Sequence, residues 1–205
     1  MIKDLPFFYD EPFADSSAIP TTLVSKEARK DVTVALSADG GDEIFGGYNR
    51  YDYILRYGKT INLIPKSVRK ILVRAMKNIS SEKIPILKSK YNFHNRYERL
   101  KTFLDNPNKK EIMLGLSQQF NDDQIKSVMN FKFESLPTMF QSNELLKDFK
   151  SPLSYMMAID FQTYMLDDIL QKVDRATMTN SLEGREPMLD HRILEFAAQL
   201  PDEFK

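Results

Sequence analysis

The chain has 205 residues, no cysteine and a formal net charge of zero, with 42% hydrophobic and 28% charged residues. That is enough for one sizeable core, or a core plus a subdomain, and it excludes disulfides, thiol nucleophiles and Cys-ligated metals. Neutral charge favours neither nucleic acid nor a membrane surface, and no apolar run reaches the ~18 residues of a membrane span.

The first residues, Met1-Ile-Lys-Asp-Leu-Pro, are not expected to act as a signal peptide. Asp10-Glu-Pro-Phe-Ala-Asp-Ser-Ser-Ala-Ile-Pro20 reads as a loop, with Ser16 or Ser17 able to cap the next helix. Ile19, Leu23, Val24 and Ala28 fit one face of that helix, from about Ala18 to Lys30. Its basic end suits the negative pole of the helix dipole. Val32–Leu36 then reads as a buried strand. It runs into Ser37-Ala-Asp-Gly-Gly-Asp-Glu-Ile-Phe-Gly-Gly-Tyr48, which places Asp39, Asp42 and Glu43 at the strand's carboxyl end. Ligands bind at that edge in open α/β sheets. Gly-Gly and Asp-Gly pairs are ordinary turn formers too, but the apolar and aromatic tail predicts a partly buried loop. A buried carboxylate cluster needs a cation or hydrogen-bond donors. Only one convincing strand is present, so the segment reads as the later part of a parallel sheet.

Between Arg56 and Lys101 there are 13 Lys and Arg against two acids, Glu82 and Glu98. Ile61, Ile64, Val68, Leu72, Val73 and Met76 recur at helical spacing, so the plain interpretation is helices with a solvated basic face. A positive surface for an anionic substrate or partner domain is the alternative. Ile79 to Lys90 reads as a connection. Asn106-Pro-Asn108 is a turn, Glu111–Gln119 a short helix, and Asn121-Asp-Asp123 caps another through Met129. Phe131–Phe149 has weak periodicity and no evident chemistry.

Ser151-Pro152 is a helix start, with the cap at Ser and Pro in the first turn. Leu153, Met156, Met157, Phe161 and Met165 mark an apolar face better explained as core than as a functional surface. In Leu166–Met178, Asp168 and Lys172 are spaced for an i,i+4 pair, as are Gln171 and Arg175. The apolar residues around them predict a mostly buried helix, in which Lys172 needs a ligand or partner. Glu183, Arg185 and Glu186 surround a glycine and read as a salt-bridged corner. Asp190 caps a last helix that Pro201 stops. His191 falls in that helix's first turn. His94 is the only other histidine, so a His-based zinc site is not expected. Neither Gly-x-x-x-x-Gly-Lys-Ser/Thr nor Gly-x-Gly-x-x-Gly occurs.

Three patches, in order, resemble the synthetase domain of glutamine-dependent asparagine synthetases. They are Asp10–Thr21, Leu36–Tyr48 and Asp167–Met178 with Ser181–Arg192. The resemblance spans nearly the whole chain, in character more than in letters over 55–150. It implies an α/β fold of the adenine nucleotide alpha hydrolase type, a parallel sheet with helices. This chain would be predominantly α-helical, with a remnant strand near 32–37. It implies that 1–205 is part of the synthetase domain, a carboxy-terminal piece without the glutaminase domain. The family's ATP-pyrophosphatase loop, Ser-Gly-Gly-x-Asp-Ser, occurs nowhere in it.

The implied reaction is ATP-dependent amidation of aspartate to asparagine through a β-aspartyl-adenylate. Ammonia comes from glutamine in the glutaminase domain. By the same resemblance, Asp42 helps hold Mg²⁺ against pyrophosphate. Asp39, where the family often has Glu, acts as base or orienter for ammonia. Lys172 neutralises charge on the departing pyrophosphate or the acyl intermediate. Asp15, Ser16, Ser17, Ser37 and Gly40 contact substrate, and Glu183 and Arg185 support the site. Ala38 replaces a family glycine and would be strained if its φ were positive. A cytoplasmic enzyme is implied, with no nucleic-acid or membrane partner and a homodimer of the full-length enzyme left open. The isolated chain is expected to be inactive. A relative acting on another carboxylate, and a non-catalytic helical binding module, are the competing readings.

Overall fold

The computed structural model describes residues 1–79, 84, 93–118, 120, 122–131, 137–142, 144–149 and 151–205. The expected connection at Ile79–Lys90 lies almost wholly outside these, as does part of the Phe131–Phe149 stretch. The chain forms two compact units. Residues Met1–Tyr48 and Asn143–Lys205 make the first, and Asn49–Ser142 the second.

In the first unit, α1 (Leu5–Tyr9) and α2 (Ala18–Ala28) precede β1 (Val34–Leu36) and α3 (Gly41–Phe45). The second holds α4 (Asn49–Asn62), α5 (Lys66–Asn78), α6 (Phe93–Asp105), α7 (Lys109–Ser117) and α8 (Asp122–Val128). The chain then returns to the first unit with α9 (Glu144–Asp148), α10 (Pro152–Gln162), a π-helical segment (Met165–Leu170), α11 (Gln171–Met178), β2 (Glu183–Arg185) and α12 (His191–Gln199).

The second unit is helical because its apolar residues recur at helical spacing. α5 packs on α6, and α7 on α4 and α6. Ile54, Ile61, Val73, Phe103, Ile112 and Met113 are buried between them. Val68 and Leu72, expected on the apolar face of α5, are exposed. Of that face the helix buries Val73, as expected, and it presents five cations without an acid. Its open carbonyl end is satisfied by the Tyr97 hydroxyl, which donates to Met76 O and Ile79 O at 3.1 and 3.0 Å. Asn108 caps α7, accepting from Glu111 N at 2.8 Å.

The first unit is built around α10 and α11. Tyr155, Met156, Ile159 and Ala176 are fully buried, so α10 is covered on more sides than its methionine face requires. α11 packs against α2, α1 and β2. The α2 helix forms where expected but faces differently. Ala18, Thr22 and Ser25 are buried, while Leu23 and Val24 are exposed. Small side chains let α11 approach closely, and the Thr22 and Ser25 hydroxyls are satisfied by the carbonyls of Ala18 and Thr21. The strand is shorter than Val32–Leu36 and is not buried, since Leu36 is 74% exposed. The physical reason is that Val34 and Leu36 alternate onto one face of the sheet and little packs on that face. Among the described residues β1 has a single neighbour, the parallel strand β2, in register Val34↔Glu183, Ala35↔Gly184 and Leu36↔Arg185. The molecule is thus mostly helical, with a small parallel sheet.

Candidate active site

The carboxyl end of β1 carries the first cluster. Ser37 N extends the ladder, donating to Arg185 O at 2.9 Å. The Ser37 hydroxyl donates a short hydrogen bond to the Asp39 carboxylate. Gly40 turns the chain with φ +88° and starts α3. It is buried against Leu189, so it sets the path of the loop and offers no open backbone face. Ala38 is not strained, because the only non-glycine residues at positive φ among those described are Asp10 and Ser181.

Within α3, Asp42 is exposed and Glu43 is 2% exposed. The Tyr48 hydroxyl donates to Glu43 Oε1 at 2.6 Å. Burial, then the bond to Glu43, pushes the Tyr48 phenol far above its ordinary range, so it stays a donor. Glu43 Oε2 is buried with no hydrogen-bond partner among the described residues. Asp39 also acts on Glu186, whose carboxyl is raised by burial first and then by the Asp39 charge.

The second cluster is centred on Lys172, which is 8% exposed in α11. Its ammonium donates to Asp15 Oδ2 at 2.9 Å. Asp168, its expected i,i+4 partner, is not the residue it pairs with. A buried ammonium needs a short, well-oriented carboxylate, and the Asp10–Ser17 loop brings one from the far end of the chain. Arg175 likewise turns to Asp10, at 3.6 Å. Ser17 holds Asp15 in place through its backbone N, at 2.8 Å, and its hydroxyl, at 2.7 Å. It therefore occupies the N-cap position of α2 without making the expected side-chain cap. Partial burial alone would push the Asp15 carboxyl up. The Lys172 and Ser17 bonds outweigh it and pull the group down to about 2. Tyr9 donates to Lys172 O at 3.3 Å and stacks on Phe13 at 4.5 Å.

Ser16 is exposed beside this cluster. Glu183 and Arg185 pair with each other at 2.6 Å, both largely exposed. The expected corner is therefore present, but as a strand. Tyr48, which follows the acidic cluster, meets the edge of Tyr164 at 5.8 Å just before the π-helical segment that leads into α11. Tyr9 and Tyr48 are not singled out by the sequence. Glu43 and Glu186 are, as a member of the acidic loop and of the salt-bridged corner, but without a partner: the Tyr48 hydroxyl and the Asp39 charge come from the fold.

Among the described residues no three His, Cys, Asp or Glu side chains gather to hold a metal ion, and no helix is long and apolar enough to cross a membrane. One exposed carboxylate, Asp42, with Asp39 nearby in sequence, suits a Mg²⁺ that takes its other oxygens from phosphate and water. It does not suit a metal caged by protein alone.

Residues 1–205 match the family described as asparagine synthase. The whole chain is 34% identical, over 211 aligned residues, to asparagine synthetase (glutamine-hydrolyzing) 1 of Bacillus subtilis strain 168, and covers 31% of it. It is 31% identical over 202 residues to a putative asparagine synthetase (glutamine-hydrolyzing) of Mycobacterium bovis, with 98% of this chain and 29% of the relative covered. A 70-residue stretch is 47% identical to putative asparagine synthetase (glutamine-hydrolyzing) 2 of Methanocaldococcus jannaschii, covering 31% of this chain and 14% of that protein. The chain thus spans less than a third of the length of these curated relatives. No solved structure matches it. The chain belongs to the asparagine synthase family.

Proposed function

We propose that the chain contributes part of the site at which aspartate is amidated to asparagine, at the expense of ATP and with nitrogen from glutamine. The observation that carries this reading is the acidic loop at the carboxyl end of β1, with Ser37 holding Asp39 and Asp42 left exposed. ATP, consumed as a substrate, activates the aspartate side-chain carboxylate as its adenylate and releases pyrophosphate. Asp42 would hold a Mg²⁺, which would offset the charge on that leaving group. Asp39 orients the ammonia and takes up a proton as the new C–N bond forms and the acyl C–O bond to AMP breaks, releasing AMP; the Ser37 hydroxyl fixes its direction. Lys172 provides a buried positive charge toward the phosphoryl or acyl oxygens. Asp15 and Ser17 hold that ammonium in one place, Ser16 lines the approach, and Gly40 sets the path of the loop that carries Asp39 and Asp42. Glu183 and Arg185 support the strand beneath. In this reading the β1–β2 pair is part of a larger parallel sheet of the adenine nucleotide alpha hydrolase type. The 205 residues are part of a synthetase domain acting in the cytoplasm, and ammonia arrives from a glutamine-hydrolysing domain.

The experiment has two arms. Titration calorimetry of the purified chain with Mg²⁺-pyrophosphate is expected to give saturable binding that weakens about 10-fold or more in Asp42→Asn and in Lys172→Met. Incubation with ATP, aspartate and ammonia is expected to yield no AMP, because no Ser-Gly-Gly-x-Asp-Ser loop is present to grip ATP. Unchanged pyrophosphate binding in both variants would sink the assignment. So would AMP formation driven by a different carboxylic acid.

A further inference from the structure

The return of the chain after α3 places Gly47 directly against the Asp42 side chain. A Cβ on Gly47 would lie 2.1 Å from Asp42 Oδ1 and 3.1 Å from Asp42 Cγ. No real pair of atoms tolerates the shorter distance, so a side chain at Gly47 forces something to move. The turn itself is held at both ends. Gly46 makes it at φ +69°, and Gly47 N donates to Asp42 O at 3.0 Å. One residue on, Tyr48 is anchored by its 2.6 Å bond to Glu43, which is 2% exposed. Asp42 is exposed and its side chain turns about two soft bonds, of which χ2 moves Oδ1 but leaves Cγ against the added Cβ, so that χ1 has to turn as well. The group that yields is therefore the carboxylate. Gly47 is not at positive φ, so alanine there meets no backbone penalty of its own.

We propose that Gly47 is a positioning residue for Asp42, its bare Cα fixing the direction in which the carboxylate faces. The use of that direction rests on the reading of Asp42 as the carboxylate that meets Mg²⁺ and phosphate. Gly47 itself touches neither. The Glu43–Tyr48 hydrogen bond is the second part of the device, because it stops the turn from opening to relieve the contact. A glycine kept only for chain flexibility would leave Asp42 untouched when replaced.

The test uses the full 205-residue chain. The Asp42 χ1 angle is measured by three-bond NMR couplings in wild type and in Gly47→Ala, alongside thermal unfolding. Binding of Mn²⁺ with pyrophosphate is followed by electron paramagnetic resonance in wild type, Gly47→Ala, Asp42→Asn and the double variant. Gly47→Ala is expected to move χ1 to another staggered well while shifting Tm by no more than about 2 °C. It is expected to weaken Mn²⁺–pyrophosphate about 10- to 100-fold, with the double variant no weaker than Asp42→Asn, because the two act as one unit. An Asp42 χ1 that stays in its well overturns the proposal whatever the metal does. So does loss of folding in Gly47→Ala, since the backbone would then have yielded. A moved χ1 with unchanged Mn²⁺ affinity in both single variants instead overturns the role given to Asp42 and leaves its placement by Gly47 standing.

Discussion

The Asp15 carboxylate sits under two opposing influences. Partial burial disfavours its charge, and the Lys172 ammonium with the two Ser17 donors favours it more strongly, bringing it from 3.8 to about 2. A carboxyl held lower in the folded than in the unfolded chain adds stability above the unfolded value, and that stability drains away as pH falls through the folded value. The window for Asp15 is therefore roughly pH 4 down to pH 2. With the side chain 18% exposed, the contribution is on the order of 2 kcal/mol at ~1.4 kcal/mol per unit. Asp15→Asn removes it and leaves the Lys172 ammonium buried without its carboxylate. That loss costs about 3 kcal/mol at neutral pH. Urea unfolding from pH 7 to pH 2 measures both effects. The variant is expected to be less stable at pH 7 and to lack the wild-type decline between pH 4 and 2. Two parallel curves would mean that Asp15 is not the group that titrates.

At the scale of single elements, α10 shows how local chemistry starts a helix. The Ser151 hydroxyl accepts from Leu153 N at 3.1 Å and Ser154 N at 3.3 Å, and it donates to Asp202. Ser151→Ala removes the cap and the tie to the last turn. It is expected to cost about 1 kcal/mol, read as a lowered urea midpoint with an unchanged m-value. An unchanged midpoint would show that Pro152 alone sets the start. This helix, and α12 behind its Asp190 cap, were legible in the sequence because capping is decided within three residues. Val34–Leu36 was legible as a strand for a similar reason, and with it the position of Asp39 and Asp42 at its end. The strand β2 was not, because Glu183-Gly-Arg185 has no apolar alternation. What makes it a strand is β1, far away in the chain. The buried face of α2 was misjudged because close packing of α11 selects small residues over the larger Leu23 and Val24. Lys172 could be seen to need a partner, but sequence spacing pointed to Asp168, whereas the fold supplies Asp15. Local signals thus placed both halves of the candidate site, and long-range packing decided which groups within them touch.

For the molecule as a whole, an apolar surface beside the sheet has consequences in solution. Leu36 is 74% exposed and Val24 69%, and Leu23, Val32 and Val34 are exposed as well. Val24 and Leu36, with Ala28 and Ala35 among others, line one cavity of about 370 Å³ between α2, β1 and α11. Alongside them, β1 offers a strand edge with no partner among the described residues. An apolar patch next to an open strand edge is a template for association. The chain is also electrically neutral, so no net repulsion keeps copies apart. The purified chain is therefore expected to self-associate as its concentration rises through the micromolar range. Sedimentation equilibrium should report this as an increasing mean mass. Because the driving force is removal of apolar surface from water, moderate salt should change the association little, unlike one built on surface charges. Val24→Lys combined with Leu36→Lys places cations on the patch and the edge and should hold the chain monomeric over the same range, with helical content unchanged by circular dichroism. A wild-type chain that stays monomeric throughout would show that the patch is shielded in solution. A double variant that associates as strongly as wild type would move the contact to another surface.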